Sequence, residues 1–234
     1  MADQHEMQIQ TAGGETFAAY LALPPQTPAP GLLLLPPIFG VEPVIRELAD
    51  AYAARGFVVA AVNEFWRDHE PQVMSRDEAG RAAALARAKR VDVELLVSDV
   101  RTGIEALRAL PACNGKIAVL GFCFGGRYAY IAAARLAVDA AAAFHGTQIA
   151  LSLQPTPRVP ISLHFGEHDP VVPMSEVHAI EEALQGVPGA EVFVYAGAGH
   201  NFAIPGNEHY VPAVAEMSER RTFALFDRLK ESRA

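Results

Sequence analysis

Cysteine is scarce: the chain has 234 residues and only two of them, Cys113 and Cys123. That excludes the disulfide framework of small secreted domains. The two do not read as a redox pair either. They flank the apolar run 116–120, and as a strand its five residues separate them by about 16 Å, whereas a disulfide needs Cα atoms within about 7 Å. Basic charge is in deficit, with 19 Lys and Arg against 27 Asp and Glu, a net −8. This argues against nucleic acid or an anionic membrane as partner. No apolar segment approaches the about 20 residues that span a bilayer. The start, Met1 to Glu6, lacks the basic residues and apolar run of a signal peptide, so residence in the cytoplasm is expected. Gly-x-x-x-x-Gly-Lys is missing, and no glycine-rich turn has the spacing of a dinucleotide site.

Apolar residues, by contrast, make up 51% of the chain, enough for one large core, and a single domain over residues 1–234 is expected. Met7–Gln10 and Phe17–Leu23 read as a hairpin joined through Ala12-Gly13-Gly14. A proline-rich loop, 24–30, precedes the buried-strand pattern Leu32–Leu35 and the stiff loop Pro36-Pro37-Ile38-Phe39-Gly40. Residues 43–55 are helical and stop at Gly56, and Phe57–Val62 is the next strand. Asn63 to Met74 is a long irregular connection holding the single tryptophan, Trp66, and is a candidate pocket wall. Ser75-Arg76-Asp77-Glu78 has capping-box spacing, opening a helix towards Arg90. A second helix covers 91–110. Strands at 116–120, 140–144, 161–165 and 191–195 then alternate with helices at 127–136, 175–184 and 212–230. Such alternation predicts an α/β fold with a mainly parallel sheet flanked by helices.

The most informative stretch is Gly121-Phe122-Cys123-Phe124-Gly125-Gly126. Strand, G-x-C-x-G, helix is the nucleophile-elbow pattern with cysteine in place of serine. The turn is tight enough to strain Cys123 and to crowd any side chain at 121 or 125. It sets the thiol at a helix N-terminus, whose partial positive charge favours thiolate. In open α/β sheets reactive groups gather at the carboxyl ends of strands. Three strand ends deliver them here, in the order Cys123, Asp169, His200, which is the order of nucleophile, acid and histidine in α/β-hydrolases. His200 would take the thiol proton, and Asp169 would hold the imidazole in the useful tautomer.

Seven other histidines compete: His5, His69, His145, His164, His168, His178 and His209. Only His200 lies just beyond the last strand in a glycine-framed loop. Asp169 competes with Glu167 for the acid and with a plain helix-capping role. His164 and His168 have i, i+4 spacing but span a strand end and loop, which disfavours zinc.

With these motifs in place, the chain resembles, over essentially its whole length, the dienelactone hydrolase family (carboxymethylenebutenolidases), a cysteine branch of the α/β-hydrolases. The likeness is carried by Ile38-Phe39-Gly40, Gly121-x-Cys123-x-Gly125-Gly126, the run Gly166 to Pro173, and Ala198-Gly199-His200-x-Phe202-Ala203. It implies a Cys123–His200–Asp169 triad that hydrolyses a small ester or lactone through a thioester. The oxyanion would be held by the backbone N–H groups of Phe124 and Ile38. No metal or organic cofactor is required, and a monomer or small homo-oligomer is expected.

Two departures from the family pattern bear on substrate. A glutamate that assists thiol activation is replaced by Pro37, which cannot accept a proton. Of two arginines that grip the substrate carboxylate, one place holds Ile204 and the other aligns with Arg81. Arg81 is read either as that clamp or as a solvated helix residue. Phe39 and Trp66 are further candidate substrate contacts, Trp66 equally a surface residue of its loop. Direct activation by His200 and a preference for neutral, more apolar esters or lactones are the expectation. A general carboxylesterase or thioesterase, or a catalytically silent binding protein on the same fold, are the alternatives.

Overall fold

The computed structural model describes residues 5–68 and 70–231, in two compact units, Met1–Ile117 and Ala118–Ala234. In the first, β1 (Glu6–Gln10) and β2 (Thr16–Ala22) bury alternate side chains, as strands with one covered face do. They pair antiparallel, Gln8 opposite Ala18. β3 (Ala29–Leu35) and β4 (Val58–Val62) are buried along their whole length and pair in parallel, Leu33 beside Ala60. The strand order is β1-β2-β4-β3.

The helices of this unit follow from local signals. α1 (Pro43–Ala54) opens on a proline, whose missing N–H costs nothing in a first turn, and buries Ile45, Leu48, Ala49 and Tyr52. α3 (Val93–Arg108) buries Leu96, Val97, Val100, Ile104 and Leu107, a stripe at helical spacing, and the Asp92 carboxylate caps it by accepting from the Leu95 N–H at 3.0 Å. Two expectations need correction. The proline-rich loop ends earlier, because the Ala29 N–H donates to the Ala112 carbonyl at 2.9 Å and starts the strand there. α2 (Glu78–Lys89) is capped by Asp77 rather than Ser75, its carboxylate accepting from the Gly80 N–H at 2.7 Å.

In the second unit residues 118–122 of β5 (Cys113–Phe122), then β6 (Ala140–Phe144), β7 (Ile161–Gly166) and β8 (Ala190–Tyr195) follow one another in the order β5-β6-β7-β8, every pairing parallel. α4 (Phe124–Arg135), α5 (Met174–Leu184) and α6 (Pro212–Phe226) complete it. Tyr130 and Ala133 of α4, Ala141 and Ala143 of β6, Leu163 and Phe165 of β7, and Val177 and Ile180 of α5 pack into one core. The alanines of α4 and β6 let helix and strand approach closely. Because the four strands are parallel and in register, Phe122 beside Phe144 and Gly166 beside Tyr195, their carboxyl ends emerge along one edge. Cys123, Asp169 and His200 all lie just past that edge.

Candidate active site

Cys123 follows β5 directly with φ 51 and ψ −113, a conformation that costs a residue with a Cβ about 1–3 kcal/mol. Neighbouring backbone holds it there. The Cys123 N–H donates to the Phe144 carbonyl at 3.0 Å, and the Cys123 carbonyl accepts from Gly126 and Thr147 N–H groups, each at 3.0 Å. Two of the glycines around it, Gly121 and Gly126, are dictated by space. A Cβ on Gly121 would stand 2.2 Å from the Gly125 carbonyl oxygen, and one on Gly126 would stand 2.6 Å from the Gly146 Cα. Phe124 heads α4, so Cys123 sits at the positive end of that helix.

Asp169 lies three residues past β7. One oxygen, Oδ1, accepts from the Val171 and Val172 N–H groups at 2.8 and 3.0 Å. The other, Oδ2, faces His200 Nδ1 at 2.7 Å, and His200 Nε2 lies 3.3 Å from Cys123 Sγ. All three residues are buried. Burial alone would strip the proton from His200, but its hydrogen bonds to Asp169 and Cys123, with their charges, outweigh it and raise the pKa to about 10. Such a chain of groups can activate a thiol and shuttle one proton.

The competing groups are occupied elsewhere. Glu167 accepts from the Gly197 N–H at 3.0 Å. His164 is buried against Tyr195, Ser162 and Thr222 hydroxyls at 2.9, 3.2 and 2.9 Å, whereas His168 is exposed. His69 lies outside the described residues. Among the described residues no group of three or more His, Cys, Asp or Glu side chains is placed to hold a metal ion, and no helix is long and apolar enough to cross a membrane. Ile204 is buried, in the turn where its N–H donates to the Asn201 carbonyl. His145, fully buried with its ring centroid 4.6 Å from that of His200, is a neighbour that spacing alone did not single out.

Within the first unit, Pro37, Ile38 and Phe39 are buried in the loop after β3. The Pro37 carbonyl accepts from Gly40 at 3.0 Å, and Arg76 lies over the Phe39 ring at 4.7 Å. Trp66 stacks on Phe17 at 4.8 Å, donates to Asp99 at 2.9 Å, and lines a cavity of about 340 Å³ together with Tyr20, Asn63, Gln72 and Val73. Arg81 is exposed on α2. The buried arginine of that helix is Arg87, which donates to the Ile38 and Pro71 carbonyls at 2.7 and 2.8 Å and covers the Phe65 ring. No motif marks Arg87 in the sequence.

Residues 17–230 match the family model of the dienelactone hydrolase family. The chain is 30% identical over 218 residues to the carboxymethylenebutenolidase of Pseudomonas putida, covering 92% of each. Among solved structures it is similar to a dienelactone hydrolase-like promiscuous phosphotriesterase from metagenomic libraries, with a TM-score of 0.78 at 22% identity over 97% of this chain and 98% of that one. It is also similar to an alpha/beta hydrolase from Penicillium, with a TM-score of 0.71 at 16% identity over 96% and 98%. The fold is that of the α/β-hydrolases, and the chain belongs to the dienelactone hydrolase family of carboxylic ester hydrolases.

Proposed function

We propose that the protein hydrolyses small esters or lactones through a Cys123 thioester. The observation that carries this reading is the buried chain Asp169–His200–Cys123, with links of 2.7 and 3.3 Å. The Cys123 thiolate adds to the carbonyl carbon, and the carbonyl π pair moves onto oxygen. The N–H of Phe124, at the head of α4, and that of Ile38, on the family resemblance, are assigned to the oxyanion, each worth about 3–4 kcal/mol. As the C–O bond breaks, the leaving oxygen takes the proton from His200. Neutral His200 then accepts a proton from water as the water oxygen attacks the thioester. Cleavage of the C–S bond releases the acid and restores the thiolate.

The substrate class is assigned as neutral and more apolar. Ile204 supplies buried hydrocarbon where the family pattern has an arginine, Pro37 has no side-chain acceptor, and Arg81 faces solvent. Losing one charged partner of a carboxylate weakens binding by about 1.5–3 kcal/mol.

The test is intact-protein mass spectrometry after brief mixing with an aryl acetate, a neutral lactone and a carboxylated dienelactone, with Cys123→Ala as control. An acyl adduct on Cys123 with turnover, fastest for the neutral substrates, is the expected result. Faster turnover of the dienelactone than of neutral esters of similar reactivity would overturn the specificity. Turnover undiminished in Cys123→Ala would overturn the mechanism.

A further inference from the structure

His145 follows β6 and is completely buried. Its backbone is locked to the elbow. Phe144, before it, accepts from the Cys123 N–H, Thr147 donates to the Cys123 carbonyl, and the His145 N–H donates to the His164 carbonyl at 2.7 Å. These bonds hold His145 at φ 41, a left-handed conformation unusual for a residue with a side chain. Strain at Cys123 (φ 51), His145 and Asn201 (φ 64) brackets the same few residues.

The ring stands edge-on to His200, centroids 4.6 Å apart and planes at 63°. Phe202 and Phe122 back it at 5.7 and 6.0 Å. Beyond its own main chain, neither ring nitrogen has a hydrogen-bond partner among the described residues. Burial, and then the charge of His200, keep it neutral. What it offers is a flat, uncharged ring against a catalytic-geometry imidazole.

From this packing we infer that His145 is a positioning residue, whose ring holds His200 in the Asp169–Cys123 plane during the thioester stage. The inference rests on the reading of Cys123 as the nucleophile. Before acylation two bonds fix His200, one to Asp169 and one to the sulfur. In the thioester the sulfur is bonded to the acyl carbon and carries no charge, so only the Asp169 bond remains. The imidazole is then free to swing about that bond except where the His145 ring blocks it. Deacylation, which needs Nε2 aimed at the attacking water, is the step that depends on the block.

The experiment compares His145→Phe with His145→Leu. Both fill the space, and only phenylalanine keeps a flat ring. Deacylation is followed by the decay of the Cys123 acyl adduct formed from an aryl acetate, alongside kcat and KM. A displacement of His200 slows this step about 10–100-fold, so in His145→Leu the adduct accumulates, kcat falls by that factor, and the initial acylation burst stays within about 3-fold of wild type. His145→Phe deacylates within about 3-fold of wild type. Equal deacylation by the leucine variant and wild type overturns the inference, as does a phenylalanine variant as slow as the leucine one. Should His145→Leu not fold, His145→Met makes the same comparison. A wild-type protein that forms no adduct with any ester overturns the underlying reading of Cys123, a result separable from these.

Discussion

Asp169 meets His200 with one carboxylate oxygen only, Oδ2 at 2.7 Å from Nδ1, because its other oxygen is held by the Val171 and Val172 N–H groups. That division of labour makes Asp169→Asn a sharp test. The two N–H groups keep the amide oxygen, so the Asn NH2 must turn towards His200 Nδ1. Nδ1 then becomes an acceptor and the ring proton moves to Nε2, opposite the sulfur, where it blocks acceptance of the thiol proton. A fall in kcat/KM of about 10²–10⁴-fold is expected with little loss of folding.

The pH dependence of the same variant has a definite sign. Asp169 is one of the groups that raise His200 to about 10 in the folded protein, against the opposing effect of burial. With the carboxylate gone, the imidazolium is lost at lower pH, and the alkaline limb of kcat/KM moves down from near 10. Alkylation of Cys123 by iodoacetamide at neutral pH slows in parallel. An unchanged alkaline limb would show that Asp169 does not set the charge of His200.

The arginines of α2 separate two readings that the sequence could not. Arg81→Ala removes an exposed side chain, and urea unfolding is expected to shift by less than about 0.5 kcal/mol. Arg87→Met removes the donors of the Ile38 and Pro71 carbonyls and leaves the Ile38 oxygen, whose bond is buried, without its partner. A loss of about 1–3 kcal/mol is expected, measured by the same unfolding curves. Equal stability of the two variants would mean that Arg87 does not brace these loops.

The fold was legible because its signals are local and agree with one another: the continuous apolar runs of β3 and β4, the hairpin turn, and the strand, glycine and cysteine sequence at 117–126. The order Cys123, Asp169, His200 was legible because parallel strands send their carboxyl ends to one edge. What escaped was set by packing. In the alanine-rich α2 no strong apolar stripe tells which arginine turns inward, so Arg81 drew attention by alignment and Arg87 by nothing. His145 escaped for a similar reason. A histidine after a strand carries no spacing signature, and its place beside His200 comes from the parallel pairing of β6 with β5 and the turn that follows.

That turn supplies the last prediction. Gly126 of α4 and Gly146 face each other so closely that a Cβ on Gly126 would stand 2.6 Å from the Gly146 Cα, a backbone atom. Backbone there cannot yield easily, since His145 and Thr147 on either side are bonded to the His164 and Cys123 carbonyls. A Cβ on Gly146 instead meets first the Cδ1 of Ile149, at 2.7 Å, the far end of a side chain that can rotate. Gly126→Ala is therefore expected to cost about 1–3 kcal/mol more than Gly146→Ala in urea unfolding. It should also slow Cys123 alkylation, because relieving the clash parts the Thr147 N–H from the Cys123 carbonyl and releases the strained elbow. If the two alanine variants lose the same stability, close contact between α4 and the turn is not what holds Cys123 at positive φ, and its backbone bonds to the Phe144 carbonyl and from the Gly126 and Thr147 N–H groups must sustain the strain.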